Sequence, residues 1–237
     1  TTTRGKPDRL SELRSFFQDR FPAVTTFVHS VVDPAKKTVK NTRTVFGSGI
    51  IREEMSGYRF EIGPRTFFQP NTRQAERLNE IVAEMAAPES DDHVYDLYCG
   101  IGALSFVLAP AAGKVTGIEI APPAVRQAER NAEINEITNC RFIAGDVRQQ
   151  LSHALQRFGP PDLIVCDPPR AGLDKSVVRQ IRRINPNRIV YVSCDPQTQA
   201  RDLQRLSEQY SLECVQPVDM FPQSYHVENV AKLSAKP

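Results

Sequence analysis

Long apolar runs are missing from this chain. The longest stretches, such as Arg188-Ile189-Val190-Tyr191-Val192, are strand-sized and far too short to span a bilayer. No basic, apolar, small-residue leader opens the sequence, which leaves no argument for secretion. Paired cysteines are missing as well. The five cysteines (99, 140, 166, 194, 214) are odd in number and none sits in a Cys-x-x-Cys. That argues against a disulfide framework, a zinc site or an iron–sulfur site, and for a reducing cytoplasm. Net charge is also small, with 30 Lys/Arg against 28 Asp/Glu. Its distribution is uneven: residues 1–43 carry nine Lys/Arg against four Asp/Glu, and residues 168–188 carry six against one. A phosphate-contacting surface needs local positive charge rather than a basic total. Ordinary solvated faces explain the second cluster equally well, because it falls on a predicted helix.

What is present is ordinary in bulk. The 237 residues, 40% hydrophobic and 24% charged, suffice for one large domain or a domain plus a small subdomain. The first 70 residues differ from the remainder. A short amphipathic helix is expected from Arg9 to Phe21, then strands over Thr25–Val32, Thr42–Ile51 and Tyr58–Ile62, with breaks at Asp33-Pro34 and Met55-Ser56-Gly57. Residues 1–70 therefore read as a small α+β piece and 71–237 as a second domain. From Asn71, a natural N-cap for a helix to about Ala87, helical segments alternate with strands. The strands are expected at His93–Tyr98, Lys114–Ile120, Cys140–Ala144, Asp162–Cys166, Arg188–Ser193, Ser211–Asp219 and Val227–Leu233. Apolar, non-alternating strands between helices mean a parallel sheet covered on both faces. Only a tight Phe221-Pro222-Gln223-Ser224 region separates the last two strands, so they should form an antiparallel hairpin at one edge. The fold class is α/β, a doubly wound Rossmann-like sheet that resembles the class I methyltransferase architecture.

Chemistry collects at the strand ends. Asp96-Leu97-Tyr98-Cys99-Gly100-Ile101-Gly102 closes one strand and opens a helix, and its glycines let backbone pass close to a ligand. Glu119 ends the next strand, where a carboxylate can accept from both ribose hydroxyls. A dinucleotide would fit so far, but a full Gly-x-Gly-x-x-Gly is absent because position 105 is Ser. Asp146 and Asp167 follow the third and fourth strands. Four acidic residues (96, 119, 146, 167) at successive strand ends suit a cationic adenosyl cofactor such as S-adenosylmethionine and repel a pyrophosphate. For any one of them, capping of the following helix is an equal explanation.

Cys194 sits at a strand's carboxyl end, where open α/β sheets bind ligands. Asp195 and Pro196 should cap and start the next helix, whose dipole is expected to lower the thiol's pKa. The other four cysteines read as small buried hydrophobes. Glu228, on the last strand, is the candidate base; His226 is the alternative, since 226 and 228 face the same side of a strand. A nucleophilic thiol, a carboxylate base and a cofactor crevice are the parts needed to methylate a pyrimidine carbon. Phe67 and Phe68 can stack on an extruded base, and Gln69 can serve a ligand through both amide ends.

Residues 40–233 resemble the RNA uracil-5 methyltransferases through FFQPN (67–71), DLYCGIG (96–102), IEIA (118–121), GDV (145–147), DPPRAGL (167–173), VSCDPQT (192–198) and FPQSYHVENV (221–230). The resemblance implies Cys194 as nucleophile and Glu228 as proton acceptor. It implies Gln69, Tyr98, Glu119 and Asp167, with the Gly100 loop, as S-adenosylmethionine contacts, and Asp146 near the adenine. It further implies an RNA substrate, ribosomal (23S) before transfer RNA, and a cytoplasmic monomer without membrane or metal. Ala103 stands where several relatives place a polar cofactor contact. The oligonucleotide-binding barrel and four-cysteine iron–sulfur site of many relatives are not in these 237 residues, which reads as a catalytic portion or a short member. Three other readings stay open: a nicotinamide oxidoreductase on the same sheet, a nitrogen-directed methyltransferase using Asp167-Pro168-Pro169, and an RNA-binding fragment without turnover. The second lacks the aromatic residue after the prolines, where Arg170 stands.

Overall fold

The structure, a computed structural model, describes residues 9–33, 35 and 38–237. Pro34 of the break at Asp33-Pro34, and part of the basic N-terminal stretch, lie outside the described residues. Helix α1 (Leu10–Arg20) leads into an antiparallel pair, β1 (Phe27–Asp33) and β2 (Thr38–Phe46). One strand is expected over Thr42–Ile51, yet the chain breaks there. A second ribbon begins, with β3 (Ile51–Met55) paired to β4 (Tyr58–Ile62). The break is a glycine turn against β1's approach. Gly47 has φ +75°, and a Cβ on it would lie 2.2 Å from the Thr25 carbonyl oxygen. Thr26 closes the turn: its hydroxyl accepts from Gly49 N–H at 2.8 Å and donates to Phe46 O at 3.1 Å.

Beyond the ribbons come α2 (Thr72–Ala86), β5 (His93–Leu97), α3 (Ala103–Leu108), β6 (Lys114–Glu119), α4 (Pro122–Ile134) and β7 (Cys140–Ala144). Then follow α5 (Val147–Phe158), β8 (Leu163–Cys166), α6 (Lys175–Ile184), β9 (Arg188–Ser193), α7 (Pro196–Leu206), β10 (Tyr210–Val218) and β11 (Glu228–Ala235). Asn71 caps α2 as expected, accepting from Gln74 N–H at 3.4 Å. Seven strands form one sheet in the order β10-β11-β9-β8-β5-β6-β7. β5 to β9 are parallel, and β11 is antiparallel to both its neighbours. This is the doubly wound α/β sheet that the alternation predicts, ending in its antiparallel hairpin. The hairpin's second strand, β11, inserts between β9 and β10, so β10 takes the outer edge.

The central strands bury both faces, which is why they read as unbroken apolar runs. On one face Val94, Leu163, Val165, Val190 and Val192 pack with α2 and α3; on the other Tyr95, Ile164, Ile189 and Tyr191 pack with α5, α6 and α7. Met55, Phe60 and Ile62 of the β3–β4 ribbon join the first of these cores. All five cysteines are free. Among the described residues no helix is long and apolar enough to cross a membrane, and no group of three or more His, Cys, Asp or Glu is placed to hold a metal.

The ribbon is held to the sheet's helices through its backbone. β4 has only one paired strand, and two asparagines one turn apart on α4 satisfy its free edge. Asn131 accepts from Glu61 N–H at 2.9 Å and donates to Glu61 O at 3.2 Å; Asn135 accepts from Arg59 N–H at 2.9 Å and donates to Arg59 O at 2.7 Å. Asn131 is fully buried. Asn131→Ala should therefore leave a buried strand edge unpaired and destabilise the chain by about 1–3 kcal/mol. Urea unfolding measures this, and an unchanged midpoint would show that the edge finds other partners.

Candidate active site

The edge where the parallel strands end gathers most of the expected residues. A cleft is lined by Phe67, Gln69, Tyr98, Gly100, Ala103 and Asp167, among others. Tyr98 is expected as the last residue of its strand, but β5 ends one residue earlier. Tyr98 turns out of the sheet at φ +68°, a strained conformation for a residue with a side chain, while its N–H still reaches Ile118 O at 2.8 Å. Glu119, at the end of β6, ties two loops together. Its carboxylate accepts from Gly100 N–H at 3.2 Å and from Ala121 N–H at 2.8 Å.

One of the four acidic positions needs correction, and a second also caps a helix. Asp96 is not at a strand end but inside β5, wholly buried. Ser105, the residue that replaces the third glycine, donates to it at 2.6 Å, and the other Asp96 oxygen has no hydrogen-bond partner among the described residues. Burial pushes Asp96 up to about 6. Asp146 does follow β7, but its carboxylate caps α5 through Arg148 N–H at 2.9 Å and pairs with the Arg148 guanidinium, which lowers its pKa. Helix capping is thus one role of this residue. Asp167, following β8, lines the cleft with no ion-pair partner among the described residues. Burial, then the Glu228 and Asp96 charges, push it up to about 7. Asp167 in the cleft lining, a carboxylate without a cation, with the orphaned Asp96 oxygen buried in the strand beside it, fits a positively charged adenosyl ligand.

Cys194 and Glu228 are brought together by the ladder. Asn229 pairs with Ser193 as the last pair of antiparallel β11 and β9, and Glu228 and Cys194, each one residue beyond it, lie near enough for the Glu228 charge to act on the thiol. Glu228 is buried and raised by desolvation. The helix start is as expected: Asp195 caps α7 from Gln197 N–H at 3.1 Å and Thr198 N–H at 3.2 Å, with Pro196 next. The expected lowering of the thiol pKa is not found. Burial and the Glu228 and Asp167 charges raise it, outweighing the local backbone N–H and Arg170. The two carboxylates come from the ends of other strands of the sheet. The strand argument for His226 also fails, because β11 begins only at Glu228 and His226 lies in the preceding loop, its ring tilted against that of Tyr225 at 4.3 Å.

Local sequence gave no sign of the frame behind this pair. Asp202, fully buried on α7, accepts from Leu173 N–H at 2.7 Å, Tyr191 Oη at 3.0 Å and Arg205 at 2.8 Å. Arg201 donates both to Asp202, through Nε at 3.0 Å, and to Ala171 O at 2.8 Å. Thr198 donates to Arg170 O at 3.1 Å, and Arg170 reaches Asp195 at 3.4 Å. A Cβ on Gly172 would lie 2.4 Å from Asp202, which fixes glycine there. The Asp167–Leu173 loop is thereby fastened along α7. Gln199, also buried, donates to Tyr191 O at 2.8 Å and Asn229 O at 3.1 Å and accepts from the Asn229 amide. The available signal was polar side chains at 199 and 202 on the stripe that ends in Leu206, a spacing that faces the core.

Comparison with known proteins agrees with this geometry. Residues 35–236 match the tRNA (uracil-5-)-methyltransferase family. The chain is 44% identical over 228 residues to an uncharacterized RNA methyltransferase of Bacteroides thetaiotaomicron, covering 95% of this chain and 50% of that protein. It is 40% identical over 242 residues to one of Nitratidesulfovibrio vulgaris, covering 99% and 52%. The chain thus spans about half the length of the curated relatives it matches. Among solved structures it is similar to the Pyrococcus abyssi tRNA (uracil-54, C5)-methyltransferase in complex with S-adenosyl-L-homocysteine, at TM-score 0.77 and 31% identity over 98% of this chain and 54% of that one.

The raised Asp167 makes the ligand-free protein pH-sensitive in one direction. Between 3.8, the ordinary aspartate value, and about 7 the folded chain binds more protons than the unfolded chain, so stability falls as pH rises. Asp167→Asn should reduce that slope and stabilise the ligand-free protein near neutral pH by roughly 1–3 kcal/mol. Denaturant titrations at acidic and neutral pH test it; parallel slopes in both proteins would contradict it.

Proposed function

The chain belongs to the tRNA (uracil-5-)-methyltransferase family, and from that premise we propose that it carries the catalytic machinery for methylating carbon 5 of a uridine in RNA, with S-adenosylmethionine as donor. The observation that carries this reading is the meeting of Cys194 and Glu228 at the end of the β9–β11 ladder, with Asp167, which lines the cleft without an ion-pair partner among the described residues, acting on the same thiol. We assign catalysis to residues 71–237 and take residues 1–70 as a smaller accessory piece.

When bound, S-adenosylmethionine supplies an electrophilic methyl group on a positively charged sulfur. Gln69, Tyr98, Gly100, Glu119, Asp146 and Asp167 are the residues we assign to holding it. Each Glu119 oxygen accepts one backbone N–H and keeps a lone pair for a ribose hydroxyl. Gly100 carries no side chain, so backbone can approach the ligand closely. Asp146 would share its carboxylate between Arg148 and the adenine amine. Asp167 lies where a cation would relieve its burial.

The chain's own chemistry begins at Cys194. Its thiol gives up a proton and its sulfur adds to uracil carbon 6, which makes carbon 5 nucleophilic enough to take the methyl group. The adduct then holds both a methyl and a hydrogen at carbon 5. Glu228, ionised, removes that hydrogen as a proton; the electron pair re-forms the carbon 5–carbon 6 double bond and expels the Cys194 sulfur. Because burial and the nearby carboxylates raise the thiol's pKa, Cys194 enters the cycle protonated, and a cationic donor in the cleft favours its ionisation.

We place the target uridine in ribosomal RNA, on the motif likeness to that branch. Transfer RNA is the second reading, favoured by the 31% identical neighbour that acts on tRNA uracil-54. The five free cysteines fit a cytoplasmic setting, and the assigned machinery needs no second copy. Incubating the chain with each RNA pool and S-adenosylmethionine, followed by nucleoside mass spectrometry, should yield 5-methyluridine in one pool; none in either would refute the function.

RNA containing 5-fluorouridine should trap the wild-type chain in a denaturation-resistant adduct, because fluorine cannot leave as a proton, and Cys194→Ala should give none. A Cys194→Ala protein that methylates at a comparable rate would overturn the covalent route.

Glu228→Gln should accumulate a methylated protein–RNA adduct on ordinary RNA, while His226→Ala releases free product. Single-turnover mass spectrometry distinguishes the two, and the opposite pattern would move the base assignment to His226.

A further inference from the structure

A second, open depression lies between the loop after β4 and the first turns of α4. Its lining is basic, with Arg65, Arg126 and Arg130 against a single carboxylate, Glu61. That carboxylate is already engaged, by Arg52 at 3.0 Å and by Arg130 at 3.7 Å. Arg65 and Arg126 are exposed, and within the described residues neither has a hydrogen-bond or ion-pair partner. Two cations are thus left over, facing one groove. Both are positioned by local structure. Arg126 shares one face of α4 with Arg130 through helical spacing. Arg65 sits in a tight turn closed by Thr66, whose N–H and hydroxyl both donate to Gly63 O, at 3.2 and 2.8 Å.

One loop lines both this groove and the cofactor cleft. Gly63, Pro64, Arg65 and Thr66 line the groove, and the next three residues, Phe67, Phe68 and Gln69, line the cleft. Phe67 stands 70% exposed at that junction. Arg65 is two residues from Phe67, so their backbones are at most about 7 Å apart. A polynucleotide with one base turned into the cleft would have its neighbouring phosphates beside Arg65.

We infer that this groove binds the sugar–phosphate backbone of single-stranded RNA next to the target uridine, with Arg65 and Arg126 each contacting a phosphate. The inference deepens the function proposed above and borrows from it the choice of RNA, yet it is tested without turnover. A phosphate contact releases a condensed counterion, so the logarithm of affinity falls with the logarithm of salt by about 0.7 per contact for single strands.

The experiment is a salt series of fluorescence anisotropy with a labelled single-stranded RNA oligonucleotide, without cofactor. Relative to wild type, the double variant Arg65→Ala, Arg126→Ala should lose about 1.4 from the salt slope. A charge-matched control on α6, Lys175→Ala with Arg183→Ala, should keep it. Calorimetry with S-adenosylmethionine should show unchanged cofactor affinity in the groove variant, which also reports that it is folded. Absent RNA binding by wild type, an unchanged slope in the groove variant, or an equal loss in the control would each overturn the inference; an unchanged slope would leave an acidic protein surface as the occupant. Wild-type chain that binds with the expected slope yet methylates no RNA would instead refute the function and leave the groove standing.

Discussion

β11 runs against its neighbours, so its first residue arrives at the edge where the parallel strands finish. No other strand of the sheet could bring a side chain to that edge from the opposite direction. The Asn229–Ser193 pairing sets the register, and the buried Gln199 amide locks it by bonding β9 and β11 from α7. Strand side chains alternate faces, so a slip of one residue would send Glu228 to the other side of the sheet. Everything proposed for the catalytic pair depends on this single ladder holding its register.

Around that pair the electrostatics run in one direction. Asp96, Asp167, Glu228 and Cys194 are all shifted toward their protonated forms, by burial first, and for Asp167 and Cys194 by neighbouring carboxylates as well. A sulfonium or an ammonium in the site would oppose each of these shifts. Substrate and donor chemistry are therefore linked through charge as well as through proximity.

Much of this was legible in the sequence because it is periodic or local. Strand ends could be read from apolar runs, caps from Asp195-Pro196 and Asn71, and the doubly wound sheet from alternation. The misreadings have physical causes. Thr42–Ile51 looked like one strand because Gly47 and Gly49 carry no apolar signal of their own, and what breaks the strand is a contact with Thr25 and Thr26 some twenty residues away. Asp96 looked like a strand-end ligand, yet its partner Ser105 lies in the following helix and draws it inward. The thiol pKa was misjudged because the opposing charges, Asp167 and Glu228, come from two other strands. Asp202 escaped notice for the same reason, since its partners at 173 and 191 are distant in the chain.

The fastening of the Asp167–Leu173 loop to α7 divides the site into unlike halves. One wall, carrying Asp167 and Cys194, is tied down at Arg170, Ala171 and Leu173 and has no slack to follow a ligand of different shape. The wall carrying Phe67 leaves that ring 70% exposed. Discrimination among pyrimidines and their neighbours in RNA would then be written on the soft wall, while the chemistry stays with the stiff one. A lineage could exchange targets by altering positions such as 67 and leave the thiol's surroundings untouched.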